Sequence, residues 1–589
     1  MKLGMAKSWP LWLLLVGNAA WAADGPALQH QYEQVQQLNN EAGELVHLAH
    51  PEQATPADLV QAKVLLHQAL GELDQMQSQV DAASRLNGQM QDRRVDVLLK
   101  LAVADALQGN HPQALDALDA LRNGSLHASY VQLFQKFPAL QRLHDEPRYR
   151  ALITDLQALD ARWKATAIAT PASADLDEAH RIAGLSLFWS EARYNFAYFD
   201  HVPGLDWNQA YLDFLPKVIA AVSLHDYYDV MMRFAPLLRD SHTNIYPPAS
   251  LQDEFFARPP LASALIDGHV VVTWIGSPAL SEAGMHVGDE IVTVDGQPVR
   301  AYAKQHVAPY VSSSTPQDRA VREYDYQLLM GDHRKPVVLG LRNAAGELRT
   351  VTLSREKDPP ATSRPRTEWR MLDGGIAYLA INEFEDDAGA KAFARHLPQI
   401  LKAHGLILDV RRNGGGSTHY GLDILSYLSE QPVPEGAARS LDYVPAFRAW
   451  GGPYTQWRHL AGETYDKPRQ AHYAGSVAVL VGPQTFSAAE DFALSFELMK
   501  RGKLMGAATG GSTGQPLAFN LPGGGSARVC TLRYGYPDGR EFVGKGIMPD
   551  VAVAETVADI RAGRDPVLQR AVTILAGQRQ APARSAVHP

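Results

Sequence analysis

The apolar run Ser476–Gly482 passes within a few residues into a segment of helical periodicity, Phe492–Leu498. A strand, a tight turn and a helix are therefore expected here, with Gln484–Glu490 forming the turn. Such a turn presents its side chains at the edge of a sheet, with the positive end of a helix behind them. Ser487 is the candidate nucleophile at this position. The alternative is that Ser487-Ala-Ala-Glu490 is a capping box that only closes off helix N–H groups.

The surrounding sequence, residues 368–556, repeats this alternation of strands and helices. Strand patterns at Gly375–Ile381 and Leu406–Val410 are separated by a helical segment, which predicts an α/β core. A glycine loop, Asn413–Gly416, follows the second strand, and its glycines let backbone N–H groups approach a substrate oxygen. The loop lacks the G-K-[ST] ending of a P-loop and the spacing of a dinucleotide site, so phosphate binding is disfavoured.

The N-terminal part of the chain has a different hydrophobic pattern. Residues 27–165 carry Ala and Leu at helical spacing, which predicts an all-α domain, and Ala106–Leu115 resembles the core of a tetratricopeptide unit. A linker is predicted from Thr166 to Ala174, and helices are expected again over residues 176–250.

Residues 255–356 read as a β-rich unit. Short strands at His269–Trp274 and Glu290–Val294 are joined by a Gly-Asp-Glu-Ile sequence and followed by the turn Asp295-Gly296, a pattern that resembles a PDZ domain. A segment that looks like an insertion, Ala301–Met330, lies where the groove-forming helix is expected. PDZ grooves capture peptide C-termini by adding a strand to a sheet edge, and a purely structural module is the alternative. Residues 557–589 are predicted to form a C-terminal helix and tail.

Residues 1–22 are predicted to be a signal peptide. Lys2 and Lys7 precede a short apolar run, and Ala20-Trp21-Ala22 is typical of a cleavage site. The run is too short to anchor the protein, so we expect an exported, periplasmic or extracellular protein with no membrane span in the mature chain. Cys530 is the one cysteine, which excludes an internal disulfide, and it is expected to be a buried strand residue.

The charge pattern and the motifs give no support for nucleic-acid binding, for binding to an anionic membrane or for a cofactor. The net charge of −9 is spread without acidic or basic runs, which gives no indication of nucleic-acid binding or of an anionic membrane surface as partner. The sequence contains neither H-E-x-x-H nor C-x-x-C, so no metal or organic cofactor is expected.

Three motifs follow the PDZ-like unit in order: Asp409–Gly416, the Val-Leu-Val-Gly-x-x-Thr-x-Ser-Ala-Ala-Glu sequence ending at Glu490, and Gly544–Asp550. With them, residues 176–556 resemble the C-terminal processing (tail-specific) serine peptidase family, whose core has the crotonase-like α/β fold. The resemblance implies that Ser487 is the nucleophile of a serine endopeptidase. Such an enzyme cleaves protein or peptide substrates through an acyl-enzyme, with PDZ-assisted recognition of the substrate.

The resemblance also indicates the base that would activate Ser487. In the Ser/Lys branch of the family a lysine lies in a loop that here reads Ala508–Gly514 and contains none. Leu238–Thr243 instead matches the Asp-x-His-Thr pattern of the tricorn-like, histidine-base branch, which implies His242 as the general base. An ordinary helix-end histidine is one alternative reading, and Lys545 is the alternative base.

The same family implies an acid that orients the imidazole. Glu541, just before the Gly544–Asp550 motif, is the first candidate, with Asp538, Glu490 and Asp240 as fallbacks.

The oxyanion hole is expected to consist of backbone N–H groups. Gly415 or Gly416 and Ala488, the residue after the nucleophile, are the candidate donors. Two other functions stay open: a catalytically inactive peptide-binding scaffold, motivated by the missing lysine, and a non-proteolytic acyl hydrolase with the same nucleophile.

Overall fold

The computed structural model describes residues 26–577 except 49, 81–84, 126–133, 135–136, 164–166, 172–175, 358–364, 461–463 and 468. The predicted signal peptide, part of the predicted linker and the tail beyond Gly577 lie outside the described residues. The chain divides into two compact units after Asp160.

The described residues of the first unit form helices. These are α1 (Pro26–Val46), α2 (Pro56–Gln77), α3 (Arg85–Leu107), α4 (His111–Ser125) and α5 (Pro147–Trp163). A capping box begins α2: Thr55 Oγ1 accepts from the Asp58 N–H, and the Asp58 carboxylate accepts from the Thr55 N–H. Helix α1 packs on α2, and α3 packs on α4. The all-α prediction for this region is confirmed over its described residues.

The second unit opens with three helices and one short strand: α6 (Glu178–Asn195), α7 (Trp207–Ala220), α8 (Leu224–Met232) and β1 (Asn244–Tyr246). Aromatic residues such as Phe188, Tyr227 and Phe234 are fully buried in its core. The turn between α8 and β1 carries His242. Arg239 in this turn has a left-handed φ of 50°.

Residues 255–356 form an antiparallel sheet with short flanking helices. The strands are β2 (Leu261–Ile266), β3 (His269–Ile275), β4 (Glu290–Val294), β5 (Gln297–Pro298), β6 (Val337–Arg342) and β7 (Leu348–Leu353). Their order in the sheet is β2-β3-β4-β6-β7, and β5 pairs with β4. The helices are α9 (Gln252–Phe255), α10 (Pro278–Glu282), α11 (Val299–Tyr302) and α12 (Pro316–Val321).

The predicted insertion Ala301–Met330 is folded into this unit. It contains α12 and two π-helical turns, Ala303–Val307 and Arg322–Tyr326. We call residues 312–326 the buttress segment, because their side chains contact the loops described in the next section.

The remaining residues form a mixed α/β core, as predicted. Its strands are β8 (Thr367–Leu372), β9 (Ile376–Ile381), β10 (Gly405–Asp409), β11 (Ala437–Tyr443), β12 (Thr455–Leu460), β13 (Ser476–Val481), β14 (Gly502–Gly506), β15 (Pro516–Asn520), β16 (Ser526–Cys530), β17 (Leu532–Gly535) and β18 (Val551–Ala552). Its helices are α13 (Ala388–Ile400), α14 (Thr418–Leu425), α15 (Pro445–Ala449) and α16 (Ala488–Met499), followed by α17 (Val557–Arg561) and α18 (Pro566–Gly577).

The main sheet of the core has the order β18-β14-β13-β10-β9-β8 and is parallel except for β8. Asp409 at the end of β10 is level with Leu480 near the end of β13. Loops at the carboxyl ends of neighbouring parallel strands meet at one edge of a sheet. The glycine loop after β10 and the Ser487 turn after β13 therefore lie side by side.

A second, antiparallel sheet, β1-β16-β15, brings the His242 turn to the same place. Asn244 in β1 pairs with Arg528 in β16, and the Cys530 N–H donates to Thr243 Oγ1. Cys530 is a buried free thiol, as predicted for a strand residue, and its burial raises the pKa of the thiol well above the usual range. A third sheet, β12-β11-β17, completes the core.

Candidate active site

The Ser487 turn has a strained backbone. Ser487 adopts φ 57° and ψ −126°, a region that side chains other than glycine rarely occupy. Two hydrogen bonds hold it there: the Ser487 N–H donates to the Ser512 carbonyl (3.1 Å), and the Glu490 N–H donates to the Ser487 carbonyl (2.7 Å). A strained strand-to-helix turn of this kind exposes a serine Oγ at the edge of a sheet.

His242 lies against this hydroxyl although it is 245 positions away in the chain. Its Nε2 is 3.1 Å from Ser487 Oγ, which is hydrogen-bond range for a base and a nucleophile. The imidazole stacks on the ring of Phe486, with 4.7 Å between centroids and 8° between planes. The side chain is buried, at 3% exposure. The structure therefore brings together the two residues that the sequence paired.

The other imidazole nitrogen contacts a residue that no sequence motif indicates. His242 Nδ1 is 2.8 Å from Ser512 Oγ, and Ser512 is fully buried. If Nδ1–H donates to this hydroxyl, Nε2 keeps its lone pair toward Ser487 and can accept its proton. Ser512 stands in the loop Ala508–Gly514, where the Ser/Lys branch carries its lysine. The position of that loop was the signal that could have identified it.

The prediction that Glu541 orients His242 is wrong in this structure. Glu541 Oε1 instead accepts hydrogen bonds from Arg439 (2.7 Å) and Arg533 (3.3 Å). Both arginines project from strands of the β12-β11-β17 sheet, and their charges attract the carboxylate there. Asp538, a fallback, is exposed and pairs with Arg540.

Lys545, the alternative base, is exposed to solvent, and its backbone carbonyl accepts a hydrogen bond from Gln317. The nitrogen within hydrogen-bond range of Ser487 Oγ is His242 Nε2, and Lys545 as the alternative base stays a prediction.

Asp240 shapes the His242 turn rather than the imidazole. Its Oδ2 accepts hydrogen bonds from the His242 N–H (3.1 Å) and from Thr243 Oγ1 (2.7 Å). The carboxyl is fully buried, and this burial raises its pKa. Asp240 therefore positions the backbone of the proposed base.

Glu490 is a buried carboxylate below the nucleophile. It accepts hydrogen bonds from the N–H groups of Gly511 (2.7 Å) and Ser512 (2.9 Å), from Thr509 Oγ1, and from the Ser487 N–H (3.3 Å). Burial raises its pKa to about 8. Glu490 thus ties the nucleophile turn to the loop that carries Ser512.

Asp491, the next residue, ties two further loops together. It accepts from Thr418 Oγ1 at the start of α14 and from Thr513 Oγ1. Burial raises its pKa to about 6. The first turn of α16 is therefore the common anchor of the glycine loop, the Ser512 loop and the nucleophile.

The oxyanion donors differ in part from the prediction. The Gly415 N–H donates to Asn413 Oδ1 at 2.9 Å, so this group is occupied within the chain. Gly415 instead provides close approach: with φ 102°, a Cβ added there would lie 2.7 Å from Ser487 Cβ. Within the described parts of the chain, the N–H groups of Gly416 and Ala488 have no hydrogen-bond acceptor. These two remain the candidate donors to an oxyanion.

The surroundings of His242 favour the neutral imidazole. Burial, and then the positive charges of Arg528 and Arg322, hold the pKa of His242 well below its usual range. A neutral imidazole is the form that can act as a base.

Among the described residues, no group of three or more His, Cys, Asp or Glu side chains has an arrangement that could hold a metal ion. Nor does any helix in the same residues have an apolar stretch long enough to span a bilayer.

Comparison with known proteins connects this site to a peptidase family. Residues 375–553 match the family model described as Peptidase family S41. A carboxyl-terminal-processing protease of Synechocystis sp. is 25% identical over 307 residues, covering 51% of this chain and 63% of the relative. A chloroplastic C-terminal processing peptidase of Tetradesmus obliquus is 26% identical over 288 residues, covering 47% of this chain and 54% of the relative.

The solved structure of mature CPAF complexed with lactacystin shares the fold. It has a TM-score of 0.53 and 15% identity, over 68% of this chain and 98% of that chain. Residues 375–553 therefore match a Peptidase family S41 domain, and the chain is similar to carboxyl-terminal-processing proteases. It spans 54–63% of the length of these curated relatives.

Proposed function

We propose that this protein is a serine endopeptidase that cleaves protein or peptide substrates through an acyl-enzyme at Ser487. The observation that carries the proposal is the 3.1 Å contact between Ser487 Oγ and His242 Nε2. The Gly416 and Ala488 N–H groups, which have no acceptor among the described residues, add to it. A hydroxyl is a weak nucleophile until a base takes its proton, and this contact supplies the base.

In the proposed reaction, His242 Nε2 takes the Ser487 proton as Oγ attacks the scissile carbonyl carbon. The carbonyl oxygen becomes negative and accepts hydrogen bonds from the Gly416 and Ala488 N–H groups. When the tetrahedral intermediate collapses, the C–N bond breaks and imidazolium gives its proton to the leaving amine. Water, deprotonated by His242, then attacks the acyl ester and releases the second product and free Ser487. Ser512 keeps the imidazole oriented throughout.

The finer features of the proposal rest on sequence resemblance. The order of strands and turns in residues 255–356 supports a PDZ-like unit that recognises substrate. The Gly-Asp-Glu-Ile sequence that leads into β4 adds to this support. The strand-loop motifs of residues 368–556 support a crotonase-like core. Membership of the tricorn-like, histidine-base branch is supported by the Asp-x-His-Thr sequence and by the absence of lysine from Ala508–Gly514.

We also propose that the protein is exported, on the basis of Lys2, Lys7 and the apolar run that follows them. The proposed domains are those of the sequence analysis: 27–165, 176–250, 255–356, 368–556 and a C-terminal segment from 557.

Turnover of an unstructured polypeptide by the purified protein tests the function. The wild type should generate peptides, and both Ser487→Ala and His242→Ala should lose at least about a hundredfold in kcat, as expected when nucleophile or base is removed. Turnover of small esters without any peptide cleavage would indicate an acyl hydrolase. Peptide binding without turnover of either substrate would indicate an inactive scaffold, and each of these results contradicts the proposal.

A further inference from the structure

The buttress segment, residues 312–326, contacts the loops that form the candidate site. Thr315 Oγ1 donates to the Gly510 carbonyl (2.7 Å), and Gln317 Nε2 donates to the Thr509 carbonyl (2.9 Å). The sequence suggested an insertion at this point, but the folded segment reaches the loop that carries Ser512. It therefore belongs to the support of the site.

The same segment holds the His242 turn through Asp318. Ser241 Oγ, next to the proposed base, donates to Asp318 Oδ2 at 2.6 Å. Asp318 is buried, and Arg322 Nε donates to both of its carboxylate oxygens (2.9 and 2.8 Å). A buried ion pair with both partners hydrogen-bonded fixes the position of each group.

Arg322 also reaches the aromatic ring that supports the imidazole. Its guanidinium carbon lies 5.1 Å from the centroid of the Phe486 ring, on which His242 stacks. The two separations place the guanidinium within about 10 Å of the imidazole, a range over which a charge still acts in a buried site.

We propose that Arg322, held by Asp318, is a positioning residue for His242. It fixes the Phe486 ring against which the imidazole stacks, and its charge favours the neutral imidazole that can take the Ser487 proton. This inference rests on the proposed function, because it concerns the base of the same reaction.

Other titratable or charged groups also face His242, and their effect adds to that of Arg322. Arg528 comes from β16, where its Nε donates to Asn244 Oδ1. Asp240 lies in the same turn as the histidine, and Glu490 lies behind Ser512 at the start of α16. Arg322 and Arg528 both lower the pKa of His242, so removing one leaves part of the effect.

The pair Asp318 and Arg322 allows two changes of opposite sign. Arg322→Gln removes a positive charge and exposes His242 to the unpaired Asp318, so the imidazole should become easier to protonate. Asp318→Asn leaves Arg322 unbalanced, so the imidazole should become harder to protonate. A single charge at this separation shifts a pKa by about one unit.

The control is Arg319→Gln, in the same helix α12. Arg319 is half exposed and pairs with Glu323, so it carries the same charge without contact to Phe486. Its loss should leave the pH dependence unchanged.

The experiment is the rate of labelling of Ser487 by a serine-directed fluorophosphonate as a function of pH. On the acidic side of this pH–rate profile, which we call the acid limb, labelling falls as His242 becomes protonated. The midpoint of the acid limb should move to higher pH by about one unit in Arg322→Gln, move to lower pH in Asp318→Asn and stay in place in Arg319→Gln. The thermal midpoint of each variant shows whether it is folded. If Arg322→Gln does not fold, the downward shift in Asp318→Asn still tests the charge effect.

An acid limb that stays in place in both variants, or that moves in the same direction in both, overturns the inference. That failure differs from failure of the proposed function: labelling reports the nucleophile and its base, whereas the polypeptide assay reports proteolysis. A wild type that is labelled but cleaves no peptide contradicts the peptidase and leaves the role of Arg322 to be decided by the limb shifts.

Discussion

Replacement of Ser512 by alanine tests how the imidazole is oriented. In the structure the Ser512 hydroxyl is the partner of His242 Nδ1, at 2.8 Å, and it is fully buried. Ser512→Ala removes that partner and leaves the backbone contacts of the loop in place. The imidazole then loses the hydrogen-bond partner of Nδ1, which in the proposed reaction accepts from Nδ1–H while Nε2 faces Ser487.

The size of the effect follows from the burial of the group. An unsatisfied buried polar group costs about 1–3 kcal/mol, and water has little access to replace the lost hydroxyl. If this cost is added to the activation free energy of the step in which His242 takes the Ser487 proton, kcat falls by about 5- to 150-fold. KM should change little, because Ser512 lies below the imidazole and is not exposed to a substrate.

Two control variants define the result. Ser495→Ala removes another buried hydroxyl, one that has no hydrogen-bond partner among the described residues, and kcat should stay within about twofold. Glu541→Gln removes the carboxylate that pairs with Arg439 and Arg533, and it should also leave kcat nearly unchanged. Steady-state cleavage of a fluorogenic peptide measures all three. A Ser512→Ala enzyme with wild-type kcat, beside a Glu541→Gln enzyme that is strongly impaired, would refute this account of the orientation.

Three further outcomes are expected. Gly415→Ala should reduce kcat by at least about tenfold, because its Cβ meets Ser487 at 2.7 Å, whereas Gly414→Ala, with open space around it, should be near wild type in the same peptide assay. The carboxyl of Glu490 has a folded pKa of about 8 against an ordinary 4.5, so its contribution to stability is present below pH 4.5 and is lost as pH rises through 8. The decrease is on the order of 5 kcal/mol, and a thermal midpoint that falls as steeply between pH 5 and 9 in Glu490→Gln as in the wild type would contradict it. Lys545→Ala should keep kcat within about twofold, and a large loss would favour Lys545 as the base.

Local patterns predicted the elements that carry the site. The apolar run before Ser487 forms β13, and the glycine loop follows the buried strand β10, as their sequences indicate. These features depend on residues close together in the chain, where periodicity and glycine content are informative. The Asp-x-His-Thr motif indicates His242 as a candidate base. Its contact with Ser487 can be seen only in the folded chain.

The features that the sequence missed depend on contacts between distant segments. Ser512 is one of many loop serines, and only the fold places its hydroxyl against an imidazole 270 positions away. Glu541 was a reasonable acid by position along the chain, but Arg439 lies in a strand that the sequence did not connect with it. The Gly415 N–H was assigned to the substrate because the Asn413 side chain, which occupies it, cannot be oriented from sequence.

The contacts of the buttress segment also could not be predicted from the sequence. Its sequence interrupts a β-rich pattern, so residues 301–330 read as an insertion beside a possible groove. Asp318 reaches Ser241 across 77 positions, and Arg322 reaches Phe486. No periodicity signals such contacts, because they join surfaces of two separate elements.

The proposed mechanism depends on Ser487 being a nucleophile that His242 activates. The most direct test is reaction with a serine-directed fluorophosphonate, followed by peptide mapping by mass spectrometry. The account predicts one adduct, on Ser487, at a rate that falls at least about a hundredfold in His242→Ala and is unchanged in Lys545→Ala. An adduct on another serine, or labelling of Ser487 in His242→Ala at the wild-type rate, would contradict it.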